Sequence, residues 1–375
     1  APDAPPGQNS LFWSAYAAGK RGFACEFDSA AGRDVVRQLA RRADVLIESA
    51  EPGKMQALGL DFETLSAQNP ALVYVTITAF GSDGPKGRYA ATDLIVWAAA
   101  GPLGLCRDNA GVPLRISVPQ AFLHAGADAA AGALIALFSR RSSGRGQHVD
   151  ISAQQSAALA TLSATLAAQV GHENFQFPAD GPRRVGQLDL SGSGARTRRS
   201  KWRVADGLLE MHLGMGPAAG GSANRLFEWM RSEGALPPEF YDWDWVALPQ
   251  RILAGEIDDA QLERARDAVA AFLRSRRKQD LMDEALRRGI LMAPAMTTAD
   301  LVNSRQFAAR GLFTEVNEDA RPRLLPANFI AGCPQGLVAL RPAPRLGEHT
   351  AEVCRDWLGM DVQAVARSRA QGILR

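Results

Sequence analysis

An α/β protein built on a parallel sheet is what the sequence predicts, and three observations carry that expectation. Short apolar runs rich in β-branched residues recur at 43–49 (ADVLIES), 72–80 (LVYVTITAF) and 148–152 (HVDIS). Segments with helical apolar spacing lie among them, at 33–42, 61–68 and 121–141. Turn chemistry marks the changeovers, at Glu51, Pro52 and Gly53, at Asn69 and Pro70, and along 81–87. Strands buried on both faces read as near-continuous apolar runs, and intervening helices supply the crossovers that parallel strands need.

Taken in order, the helix at 33–42 leads into the strand at 43–49, and the helix at 61–68 leads into the strand at 72–80. The long helix at 121–141 contains Gly126 and Gly132, which permit close packing, and 142–146 stops it before the strand at 148–152. A helical stretch rich in Ala, Ser and Gln runs on to about residue 170. Composition then shifts, because 177–200 is dense in Gly, Pro, Ser and Arg. Residues 1–180 and 326–375 are therefore assigned to a large domain, and 181–200 to a Gly/Arg-rich crossing segment. A smaller inserted α+β domain follows at 201–310, with strands at 202–204 and 208–212 and helices at 258–275 and 279–288. Residues 311–325 read as a return linker, and the chain ends in two short helical patterns.

Composition excludes several classes. Hydrophobic residues make up 46% and charged residues 22%, which are ordinary globular values. The net charge of +2, from 42 basic and 40 acidic residues, selects for neither nucleic acid nor an anionic membrane. Cys25, Cys106, Cys333 and Cys354 form no C-x-x-C pair, so free thiols and no metal are expected. The apolar stretch 125–138 is interrupted by Asp128, which favours a buried helix over a membrane span. Residues 1–8 lack the pattern of a signal peptide, and a cytoplasmic protein is expected.

Seven strings, in this order and spacing, resemble the class III CoA-transferase family, also called CaiB/BaiF or formyl-CoA transferase-like. They are AAGKRG at 17–22, ADVLIESAEPGKMQALGL at 43–60, NPALVYVTITAFGSDGP at 69–85, ALFSRRSSGRGQHVDIS at 136–152, ADG at 205–207, GILMAP at 289–294 and LGEHT at 346–350. The resemblance implies a Rossmann-like large domain made from both chain ends, a smaller inserted domain, and two protomers interlocked like chain links. It implies transfer of CoA from an acyl-CoA, such as succinyl-CoA, to a carboxylic acid, through covalent intermediates on an aspartate. Coenzyme A thioester is then a substrate, and no bound cofactor is implied. The family's opening strand and helix, LxGxxVLDL followed by AGP, find no match, which leaves open a cropped or a naturally short chain.

Departures from the family concentrate at the chemistry. Counting back from Gly126 and the string at 136–152, the nucleophilic aspartate falls on Phe122, whose phenyl ring forms no anhydride. Asp128 lies six residues on, about one and two-thirds turns away, and projects from a different side of the helix. A racemase branch carries a His-Asp pair in the segment matching 91–93, where this chain has Thr92 and Asp93. Asp93 reads either as a helix N-cap or as a substrate-side carboxylate. His124 reads as an ordinary helix histidine or a cleft residue, and Trp229, Trp243 and Trp245 as core or as an aromatic site.

The CoA or substrate contacts that the resemblance implies fall on Lys20, Gly53, Lys54, Met55, Glu348 and His349. Gly192, Gly194, Arg196 and Arg198, in SGSGARTRRS, resemble a mobile glycine-rich lid, or else form a solvated linker. Two arginines are lost: the family's NRGK stands here as Ala17, Ala18, Gly19 and Lys20, and Ala57 replaces a CoA-contacting arginine of some members. An arginine fork would give two charge-assisted bonds to phosphate. The favoured expectation is the subunit without the aspartate in a heteromeric CoA-transferase, partnered by an Asp-bearing homologous subunit. The family's benzylsuccinate CoA-transferase, with one such subunit, supplies the analogy. Two others stand beside it: an active transferase, racemase or lyase using Asp93 or Asp128, and a non-enzymatic acyl-CoA-binding protein.

Overall fold

The computed structural model describes residues 10–106, 112–170, 201–318, 321–326 and 341–375. The chain divides into two compact units: Ala1–Gly181 with Arg310–Arg375, and Pro182–Ala309.

The first unit is organised on a parallel sheet in the order β1 (Val45–Glu48), β2 (Val73–Thr78), β3 (His148–Ser152). The register pairs Val45 with Val73 and Tyr74 with His148. Its helices are α1 (Leu11–Tyr16), α2 (Ala30–Ala40), α3 (Lys54–Ala57), α4 (Phe62–Ser66), α5 (Asp93–Ala99), α6 (Pro102–Leu105), α7 (Ala121–Ser143), α8 (Ala153–Ala158) and α9 (Leu162–Gln169). Successive side chains of β2 leave opposite faces of the sheet. Val73 and Val75 are buried against Ala129, Ala133 and Ala136 of α7. Tyr74, on the other face, packs with Ala40, Leu60, Leu65 and Leu72.

Small residues let α7 lie close to the strands. A Cβ added at Gly132 would stand 2.8 Å from Val149 Cγ1. The helix stops at Gly144, whose φ of 70° is the left-handed conformation that glycine adopts without a Cβ clash. By length and composition α7 is long and apolar enough to cross a bilayer, a test that the core helix of a soluble protein also passes. Its row of Ala121, Ala125, Ala129, Ala133 and Ala136 is buried within this unit, as in a core helix. On its outer side Leu134, Ile135 and Phe138 are 66%, 71% and 74% exposed.

The second unit contains an antiparallel sheet, β4 (Lys201–Val204), β5 (Gly207–Glu210) and β6 (Ala293–Ala295). Helices α10 (Gly220–Ser232), α11 (Leu248–Leu253), α12 (Asp259–Arg274) and α13 (Lys278–Arg288) share its core. Asp258 opens α12 with a capping box, its carboxylate taking the Gln261 N–H at 2.7 Å. Trp229 and Trp245 are buried in this core and Trp243 packs against it. Trp202, also buried, donates its indole N–H to the Met211 carbonyl at 2.8 Å.

In a stretch read from the sequence largely as a linker, β7 (Phe313–Glu318) and β8 (Arg321–Pro326) pair antiparallel in the first unit. Both chain ends close that unit. Cys25 bridges to Leu374, and Val35 of α2 packs with Cys354, Val365 and Leu374. Cys25, Cys106 and Cys354 are free thiols, and burial pushes those of Cys25 and Cys354 up. Cys333 lies outside the described residues.

Candidate active site and pocket

Two places in the first unit hold some of the residues singled out above. The first is the N-terminal turn of α7. Thr92 holds the N-cap position of α5 without a side-chain bond, so Asp93 does not cap its own helix. Its carboxylate caps α7 instead, accepting the Gln120 N–H at 3.0 and 3.1 Å and the Phe122 N–H at 3.4 Å. A carboxylate there satisfies orphan donors and meets the positive end of the helix dipole. Phe122 is half-buried and packs against the cluster of Ala79, Val96, Trp97, Ala121 and Ala125. His124 is exposed and stacks on Trp97, ring centroids 5.9 Å apart. Asp128 is half-buried farther along α7.

The second place is a pocket of 560 Å³ on the Tyr74 face of the sheet. Glu48 enters it from the end of β1, its carboxylate accepting the Ala50 N–H at 2.7 Å. The turn after β1 and α3 supply Glu51, Gly53, Met55 and Ala57. Asp61 caps α4, accepting the Thr64 N–H at 2.9 Å and the Thr64 hydroxyl at 3.0 Å. Burial pushes its carboxyl up, but those bonds outweigh burial and hold it below the usual range. Phe62 stacks on His148 with centroids 5.4 Å apart, and His148 Nε2 shares a 2.9 Å hydrogen bond with the Thr76 hydroxyl. Tyr74 donates its hydroxyl to the Leu60 carbonyl at 3.0 Å. Burial first, then the charges of Glu48, Asp61 and Glu63, push that phenol well above its ordinary value. Asp150, through the Ser82 N–H and hydroxyl, both at 2.9 Å, fastens the loop that brings Arg88 to the rim.

The expected contacts are distributed unevenly. Gly53 and Met55 line this pocket. Lys54 is turned to the Phe27 ring, 5.2 Å from its centroid, and stands 4.0 Å from Asp28. Lys20 donates to the Tyr16 carbonyl. Glu348 accepts the Arg345 N–H at 2.8 Å, and His349 Nδ1 accepts the Gly22 N–H at 3.1 Å, so both sit in a turn that ties the C-terminal segment to the N-terminal one. Gly192, Gly194, Arg196 and Arg198 lie outside the described residues. Among the described residues no group of three His, Cys, Asp or Glu side chains is placed to hold a metal. Sequence reading passed over Glu48, Asp61, Phe62, Thr76, Arg88 and His148. For Glu48, the last residue of β1, the available signal was position, since ligands of open α/β sheets gather beyond the carboxyl ends of the strands; Thr76 lies inside β2 and His148 opens β3, where that rule gives no signal.

The model of CoA-transferase family III matches residues 2–350. The chain belongs to that family. Among curated relatives, subunit BbsE of succinyl-CoA:(R)-benzylsuccinate CoA-transferase from Thauera aromatica is 33% identical over 93% of this chain and 81% of its own length. Succinate–glutarate CoA-transferase of Agrobacterium fabrum is 28% identical over 92% of this chain and 80% of its own. A CaiB/BaiF family protein from Brucella suis shares the fold, with a TM-score of 0.70 at 24% identity, over 93% of this chain and 84% of that one. Members of this CoA-transferase family act on CoA thioesters, which makes the thioester a substrate.

Proposed function

We propose that this chain is the subunit without its own nucleophile in a heteromeric CoA-transferase, interlocked with an Asp-bearing homologous subunit in the cytoplasm. The complex moves CoA from an acyl-CoA such as succinyl-CoA to a carboxylic acid such as benzylsuccinate. One observation carries this reading: Phe122 occupies the first turn of α7, at the position that spacing from Gly126 matches to the family's aspartate.

The exchange needs a carboxylate that adds to the thioester carbonyl, expels CoA thiolate, and is regenerated when the acceptor acid has taken the thioester. A phenyl ring has no such electron pair. Asp93 is engaged in capping α7, which disfavours it as a free nucleophile, and Asp128 projects from another side of the helix. The partner's aspartate then forms the anhydride and aspartyl thioester. The name of the relative at 33% identity, a subunit of a CoA-transferase, supports the heteromer. So do the exposed Leu134, Ile135 and Phe138, since an apolar outer helix face calls for a covering surface.

Coexpression with an Asp-bearing homologue tests the reading. Transferase turnover is expected from the copurified pair and not from this chain alone. Hydroxylamine trapping should label an aspartyl peptide of the partner. Full turnover by the isolated chain, or a labelled peptide carrying Asp93 or Asp128, would establish the rival active form.

A further inference from the structure

We infer that the pocket over the sheet excludes coenzyme A from this subunit, so that the partner holds the CoA as well as the nucleophile. The inference rests on the proposed pairing and concerns what the pocket rejects.

Four carboxylates line this cavity, those of Glu48, Glu51, Asp61 and Glu63, against one lining arginine, Arg88. Among the described residues none of the four is joined to a cation by an ion pair. Hydrogen bonds from the Thr64 amide and hydroxyl, joined by one from the Glu63 side chain, hold the carboxyl of Asp61 below the usual range, so it is charged at neutral pH with Glu63 beside it. Lys54, the nearest cation in the chain segment, is drawn to Phe27 and Asp28 and does not line the pocket. Ala57, which does line it, carries no charge. Coenzyme A bears a pyrophosphate and a 3′-phosphate, and phosphate recognition depends on arginine forks, lysine charges or helix N-termini. α3 and α4 are short, of 4 and 5 residues, and the N-terminus of α4 is already filled by Asp61. Like charges brought together in a partly enclosed cavity repel strongly, because screening inside it is weaker than in bulk solvent.

Calorimetric titration of the full 375-residue chain with coenzyme A tests this directly. The unaltered chain should show no saturable binding at low millimolar CoA. Glu48→Gln, Glu51→Gln and Glu63→Gln combined should tighten binding by at least about tenfold, and adding Ala57→Arg by about tenfold more. Any residual binding by the unaltered chain should strengthen with salt, the reverse of a cationic phosphate site. Circular dichroism controls for folding of the variants. Micromolar binding of CoA at one site per unaltered chain, or no gain in a folded neutralised variant, overturns the inference. CoA binding without turnover defeats the exclusion alone; turnover by the isolated chain defeats the pairing as well.

Discussion

The two faces of β2 share one strand and differ in almost everything else. Toward α7 the strand presents Val73 and Val75 to a row of alanines. Toward the pocket it presents Tyr74, Thr76 and Thr78 to four carboxylates, an arginine and a histidine. On the first face the polar groups at the head of α7 are bonded to one another, Asp93 meeting the Gln120 and Phe122 amides. On the second, charge remains open to solvent in a sizeable cavity. At the head of α7 the Gln120 and Phe122 amides are met by Asp93, beside the half-buried Phe122 and the exposed His124, whereas the cavity keeps its carboxylates open to solvent.

The widest test of that contrast is Val75→Asp, which places a charge at a position with 0% exposure. We expect a loss of more than about 4 kcal/mol, enough to abolish cooperative thermal unfolding. A stable Val75→Asp protein would mean that this face is not a sealed core. Next, Asp93→Ala removes the cap of α7 and should cost about 1–2 kcal/mol in urea denaturation. Asp93→Asn, which keeps an acceptor, should recover part of that loss, whereas a carboxylate that served only substrate would leave stability unchanged.

On the pocket face effects should be smaller. Tyr74→Phe deletes the bond to the Leu60 carbonyl and should cost about 1 kcal/mol. The Tyr74 phenol is raised in the fold, so folding favours its neutral form. Stability is therefore intact below about pH 10, the ordinary tyrosine value, and falls as pH climbs beyond it. Tyr74→Phe should flatten that alkaline fall, and absorbance titration should show one tyrosine ionising last. The smallest effect belongs to Thr76→Val, which gives up the shared bond with His148 for less than about 1 kcal/mol. Its clearest readout is a shift in the His148 ring resonances; unchanged resonances would refute the bond.

Legibility followed the range of the interaction. β1, β2 and β3 were readable because a buried strand writes its environment into consecutive residues, as ADVLIES and LVYVTITAF do. The long helix was readable from its periodicity, and runs two residues beyond its expected end, to Ser143. β7 and β8 fall in the stretch read as a return linker; Pro322 and Pro326 weaken a strand pattern, yet a two-stranded antiparallel pair accommodates both. At Asp93 a local rule suggested capping of its own helix, but its partners are 27 and 29 residues away. The carboxylates at 48, 51, 61 and 63 are unremarkable as a string, and only the return of β1 and α4 around Tyr74 makes them walls of one cavity.

By itself the sequence determined the family, the parallel strands and the residue at position 122, because these rest on ordered motifs and on periodicity along the chain. Tertiary structure alone decided that Asp93 is committed to the head of α7 and that four acidic side chains face one cavity. Such facts depend on distances between segments far apart in sequence, and a pairwise distance across the fold has no local signature to read.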